Sequence, residues 1–133
     1  MGDPGGKIEL LRLAFDRDAV TGARHDVAGC AAVAGLSGRR LEGFVLAVNE
    51  IMTNAVRHGG GRGEIRLWRT AASLKCQIRD EGSGAPAARF NGHELPPTSA
   101  TGGRGIWLAR RMCDSLEIES GGAGTTVHLT MTI

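Results

Sequence analysis

The chain has 133 residues, 41% hydrophobic and 23% charged, with 16 Lys and Arg against 14 Asp and Glu. That length suits one domain and that balance suits a buried core, which excludes a disordered chain. A net charge of +2, with basic residues only in pairs such as Arg39-Arg40 and Arg110-Arg111, gives no electrostatic footprint for nucleic acid, and no apolar stretch reaches the ~18 residues that cross a bilayer.

Met1 to Gly6 reads as a flexible leader, and residues 7–133 as a single domain. Lys7 to Phe15 alternates loosely and predicts a first strand, although Leu10-Leu11 leaves its inward face ambiguous. Asp16 or Asp18 caps a helix expected to run to about Leu36, with Ala19, Val20, Ala23, Val27, Cys30, Ala31 and Ala34 on one stripe. Ser37 offers the next N-cap oxygen, and Leu36 and Leu41 have the spacing of a hydrophobic staple. The second helix is expected to bury Leu41, Phe44, Val45, Val48, Met52 and Val56 and to end in Gly59-Gly60-Gly61. Two alternating strands follow, one with Ile65 and Leu67 inward, the other with Leu74, Cys76 and Ile78. They join near Ala71-Ala72-Ser73. Glu81 to Gly103 is rich in Gly, Pro, Ser and Thr almost without periodicity, a loop of the length expected for a lid, a binding segment or a disordered stretch. A third helix over Gly105 to Met112 and strands over Ser115 to Glu119 and Thr125 to Ile133 complete the chain, with Gly121 to Gly124 as the last turn.

Cys30, Cys76 and Cys113 are odd in number and far apart, which fits neither a disulfide framework nor a zinc-binding pair and points to a reduced, cytoplasmic setting. His25, His58, His93 and His128 are equally dispersed.

Three short signatures carry chemistry. Asp80 continues the inward set Leu74, Cys76, Ile78, so its carboxylate falls on the apolar face at a strand end. It either accepts a hydrogen bond from a buried ligand such as the exocyclic amine of adenine, or starts a turn by bonding the backbone of Gly82. Gly82 and Gly84 favour the former, since residues without Cβ let a flat ring approach the main chain. Glu50 and Asn54, four apart, project from one side of the second helix; the pair suits proton acceptance and a hard Mg²⁺ ligand, or is a solvated polar face. Gly102-Gly103-Arg104-Gly105 opens an apolar helix where backbone amides favour phosphate, or is a hinge. It lacks the Lys-Ser or Lys-Thr of a Walker A loop, and Arg104 reaches either a terminal phosphate or solvent.

With these residues in order, the chain resembles the GHKL ATP-binding domain shared by type II topoisomerases, heat-shock chaperones, mismatch-repair ATPases and sensor histidine kinases. Within that group it looks most like the small serine/threonine kinases that act as anti-sigma factors. The resemblance implies an α+β, two-layer sandwich of the Bergerat type, a mixed, mostly antiparallel sheet with helices on one face and a lid over about residues 85–102. It implies ATP and Mg²⁺ as cofactors, Glu50 as general base or water-orienting group, and Asn54 as Mg²⁺ ligand. His58, Asp80, Gly82, Gly84, Gly103, Arg104, Gly105 and Thr125 are the further nucleotide contacts. The partners it implies are an anti-sigma-factor antagonist that accepts the phosphoryl group, a sigma factor, and a second copy paired through the first strand. A non-catalytic, nucleotide-gated adaptor of the same fold is the alternative.

Overall fold

The computed structural model describes residues 6–58, 60–82, 104–121 and 124–133. Its five strands are β1 (Ile8–Asp16), β2 (Arg62–Arg69), β3 (Ser73–Asp80), β4 (Ser115–Gly121) and β5 (Gly124–Thr132). They form one sheet in the order β1-β2-β3-β5-β4. Every neighbouring pair is antiparallel, so the expected mixed sheet is corrected. β3 and β4 do run parallel to each other, but β5 lies between them and pairs with both.

Period-two alternation sets the faces. Ile65 and Leu67, then Leu74, Cys76, Ile78 and Asp80, then Val127, Leu129 and Met131 all point into the core. The Leu10-Leu11 ambiguity is resolved by a bulge: the β1–β2 register shifts between Glu9 and Leu11, after which Leu11, Leu13 and Phe15 face inward opposite Leu67, Ile65 and Gly63. Thr70 ties the β2–β3 turn, its Oγ1 accepting the Ala72 and Ser73 N–H groups at 3.3 and 3.0 Å.

Helix α1 (Val20–Ala34) follows a turn in which Asp16 Oδ1 accepts the Ala19 N–H at 3.0 Å. It ends two residues before the expected Leu36, because Gly35 takes φ +123° and the Leu36 N–H turns back to the Ala31 carbonyl at 3.1 Å. Helix α2 (Gly38–His58) starts directly after Ser37, whose backbone carbonyl accepts the Leu41 N–H at 3.3 Å. Its buried residues are Gly43, Phe44, Ala47, Val48, Ile51, Met52 and Ala55. The expected stripe therefore missed Gly43, Ala47, Ile51 and Ala55 and included Leu41, Val45 and Val56, which are only half-buried. The cause is tertiary: α2 is the central helix, packed on α1, on the sheet and on α3 (Arg104–Met112), so its buried arc is wider than one stripe. All three helices cover one face of the sheet and share a single core.

The expected leader apart from Gly6, the Gly59 end of α2, and residues 122 and 123 of the last turn lie outside the described residues; β4 and β5 close on the pair Gly121 and Gly124. No helix among the described residues is long and apolar enough to cross a membrane.

Candidate functional site

Between α2, α3 and the sheet lies a cavity of about 50 Å³. Its walls are Ile51 and Ala55 from α2, Ile106 from α3, and Ile78, Ile118 and Val127 from the sheet, and its polar groups come from Asn54, His58, Asp80 and Thr125. Asp80 is 9% exposed, the one buried charged residue among those described. A carboxylate so placed is costly unless hydrogen bonds satisfy it. Its Oδ1 accepts the Gly82 N–H at 3.0 Å and the Thr125 N–H at 3.1 Å. The turn reading of Asp80 is thus correct, yet it occupies a single oxygen: neither backbone donor bonds Oδ2.

The second of those donors depends on how β5 begins. Gly124 has φ +129°, and a Cβ there would collide with the Asp80 carbonyl oxygen and lie 3.0 Å from the Asp80 carbonyl carbon. Without a side chain the β5 backbone rests directly on β3, which is what delivers the Thr125 amide to the carboxylate. The Thr125 hydroxyl meets that of Ser120 at 3.2 Å.

Glu50 and Asn54 meet the start of α3 one helical turn apart. A Cβ built on Gly105 would crowd Glu50 Oε2 at 3.0 Å and touch Asn54 Nδ2 at 3.4 Å, so glycine leaves the Glu50 carboxylate clear. α2 and α3 run antiparallel, since Gly43 meets Met112 at the other end of the same contact. Asn54 lines the cavity and Glu50 stands beside it. The Asn54 Nδ2 is buried without a hydrogen-bond partner among the described residues. An unpaired buried amide costs about 1–3 kcal/mol. Rotating that amide exchanges Nδ2 for Oδ1, so the same position can offer a donor or an oxygen ligand.

The structure therefore gathers Asn54, His58, Asp80 and Thr125 around one cavity, with Gly82 bonded to Asp80, and sets Glu50, Asn54 and Gly105 together at its side. Gly84, Gly103, the expected lid and the side chain of Arg104 lie outside the described residues. Sequence reasoning turned Ile78 inward but did not assign the other apolar walls to the site. Ile118 carried a signal, being the inward partner of Leu116 in β4, but nothing local joined it to Ile51 or Ile106. The cysteines take no part: burial raises the Cys76 thiol well above its usual range, and burial with the neighbouring Asp114 charge pushes Cys113 up to about 12. Both remain protonated near neutral pH.

The sequence profile of the histidine kinase-like ATPase domain matches residues 13–131, so the chain belongs to that family. Its members are ATPase domains, and ATP is the ligand the family implies. The fold is similar to the RsbU and RsbW domains of Rv1364c from Mycobacterium tuberculosis, with a TM-score of 0.65 at 20% identity over 91% of this chain. This chain spans 32% of that one. It is also similar to the mycobacterial sensor histidine kinase MprB, with a TM-score of 0.61 at 16% identity over 92% of this chain and 97% of that one. A third likeness is the histidine kinase domain of the blue-light activated kinase from Erythrobacter litoralis EL346, with a TM-score of 0.53 at 18% identity over 84% of this chain and 64% of that one. At these identities the structures show the shared fold. A comparison with curated proteins finds no match.

Proposed function

We propose that the chain is an ATP-dependent protein serine/threonine kinase that acts as an anti-sigma factor, phosphorylating an antagonist protein and switching between that antagonist and a sigma factor. The observation that carries the reading is the meeting of Glu50, Asn54 and Gly105 directly beside the Asp80 cavity. The likeness to a structure containing an RsbW domain is in keeping with this reading, and sensor histidine kinases share the same fold. In this reading the Asp80 Oδ2 accepts the adenine amine, the apolar walls clasp the ring, and Thr125 and Gly82 border it. Gly105 leaves room for phosphate at the start of α3, where unpaired backbone N–H groups favour an anion. Asn54 would hold Mg²⁺ through its amide oxygen, which rotation of the amide brings to the position of the unpaired nitrogen. When bound, Mg²⁺ neutralises charge on the transferred phosphate. Glu50 then accepts the proton of the serine or threonine hydroxyl. A second copy of the chain is part of the same reading.

Transfer of labelled γ-phosphate to candidate antagonist proteins tests the proposal, with Glu50→Ala expected to lose transfer and keep ATP binding. Complexes that form with nucleotide, persist in Glu50→Ala and never carry label would overturn the kinase and leave the adaptor.

A further inference from the structure

A protein that accepts a phosphoryl group must be held as well as attacked, and the surface leading to Glu50 decides where. Helices α2 and α3 run antiparallel and meet at both ends of their contact: a Cβ on Gly43 would lie 3.2 Å from Met112 Sδ, and a Cβ on Gly105 would lie 3.0 Å from Glu50 Oε2. On α2, Gly43, Leu46 and Glu50 follow one another at i, i+3 and i+7; on α3, Gly105, Leu108 and Met112 do the same. Residues at that spacing share one line along a helix. The two lines therefore form one seam, with Gly43 beside Met112, Leu46 and Leu108 midway, and Glu50 beside Gly105.

The apolar residues of this seam stand outside the core. Leu46 and Met112 are 39% and 38% exposed, Leu108 is half-buried, and none of them belongs to the core cluster. Single exposed apolar side chains are ordinary on a protein surface, but these lie in line and the line ends at Glu50. The α2 line carries an exposed arginine at either end, Arg39 one turn before Gly43 and Arg57 two turns after Glu50. Arg111, exposed next to Met112, has its guanidinium carbon 5.0 Å from the Trp107 ring centre. Of the exposed acids beside the seam, Asp114 is paired with Arg40 and Glu42 stands next to Gly43, so positive charge is in excess. Such a surface attracts an acidic partner and rejects a basic one.

We infer, on the kinase reading proposed above, that this seam docks the phosphoryl acceptor. The acceptor lays apolar side chains along Leu46, Leu108 and Met112, sets acidic ones against Arg39 and Arg111, and so brings its serine or threonine hydroxyl to the Glu50 end. From Gly43 to Glu50 the seam is ~10 Å long, which is two turns of a partner helix. A helix laid in a groove between apolar anchors is a common mode of peptide recognition.

Leu46→Glu and Arg111→Glu change exposed positions outside the nucleotide site, and Val33→Glu, at another exposed apolar position on α1, is the control. The measurement is steady-state transfer of labelled phosphate to the antagonist proteins that wild type labels, with KM read separately for antagonist and for ATP. Leu46→Glu is expected to raise the antagonist KM about tenfold or more and Arg111→Glu about threefold or more, with kcat and the ATP KM within about twofold of wild type. Val33→Glu is expected to behave as wild type. Should the ATP KM also rise in Leu46→Glu, its fold is damaged and Arg111→Glu decides. An antagonist KM unchanged in both variants, even where a complex with the sigma factor weakens, overturns the seam as the acceptor's dock and leaves the kinase standing. An equal rise in Val33→Glu overturns the seam as well. If wild type labels no antagonist, the kinase and its dock fall together.

Discussion

At the Asp80 end of the site the protein supplies its own hydrogen bonds: two backbone N–H groups hold one carboxylate oxygen, and β5 is pressed onto β3 to bring one of them there. At the Asn54 end the same fold buries an amide nitrogen with no partner among the described residues and leaves only a glycine between Glu50, Asn54 and the start of α3. The first arrangement satisfies one carboxylate oxygen without a ligand. The second is stabilised when something enters. One end of the site is thus held by the sheet while the other is left unsatisfied, the usual way a binding site departs from the most stable sequence.

The contrast breaks most severely at Gly124. In Gly124→Val the new side chain must displace the Asp80 backbone from a left-handed conformation, so unfolding free energy should fall by about 3 kcal/mol or more, read from thermal or urea unfolding, with ATP binding lost alongside. Asp80→Asn is the gentler version. The amide oxygen still accepts the Gly82 and Thr125 donors, so stability should change by less than about 1 kcal/mol, while ATP affinity measured by calorimetry drops about a hundredfold, ~2.7 kcal/mol.

Two changes probe the unsatisfied end. Gly105→Ala puts a methyl group 3.0 Å from the tip of the Glu50 side chain, which can swing aside, so the fold should be unharmed while turnover falls about tenfold. If turnover is unchanged, the Glu50 position is not constrained by α3. Asn54→Leu removes the orphaned amide and should raise stability by about 1 kcal/mol while abolishing Mg²⁺-dependent ATP binding. A loss of stability would show that the amide is satisfied in solution.

The smallest effect lies far from the site. Asp114 Oδ2 accepts from Arg40 at 2.9 Å and from the Thr132 N–H at 2.6 Å, and the Arg40 hydrogen bond, then the Thr132 N–H, lowers its pKa below the ordinary 3.8. A lowered folded-state value means stability present above pH ~4 and lost as pH falls through the lower value. The side chain is 41% exposed, so solvent screening limits this to less than about 1 kcal/mol. Asp114→Asn should flatten the acid limb of stability below about pH 4.

Much of the fold was legible because its signals are local. Alternation in β2 and β3 marked the inward residues, including Asp80, whereas the end of α1 was read two residues late, past the Gly35 that caps it. The stripe on α2 was read too narrowly, since periodicity reports one apolar face whereas a central helix is buried by α1, α3 and the sheet together. The bulge at Leu10 was equally hidden: Leu10-Leu11 permits two registers, and pairing with β2 selects one.

By itself the sequence determined the elements, the inward carboxylate and the i, i+4 pair of Glu50 and Asn54, because helix and strand periods place side chains without reference to the rest of the chain. Only the tertiary structure decided that Thr125, 45 residues from Asp80, bonds the same carboxylate oxygen as Gly82, and that Gly105 abuts Glu50 and Asn54. These depend on strand order and helix packing. Both are set by which apolar faces bury one another across the whole chain, a property no local period encodes.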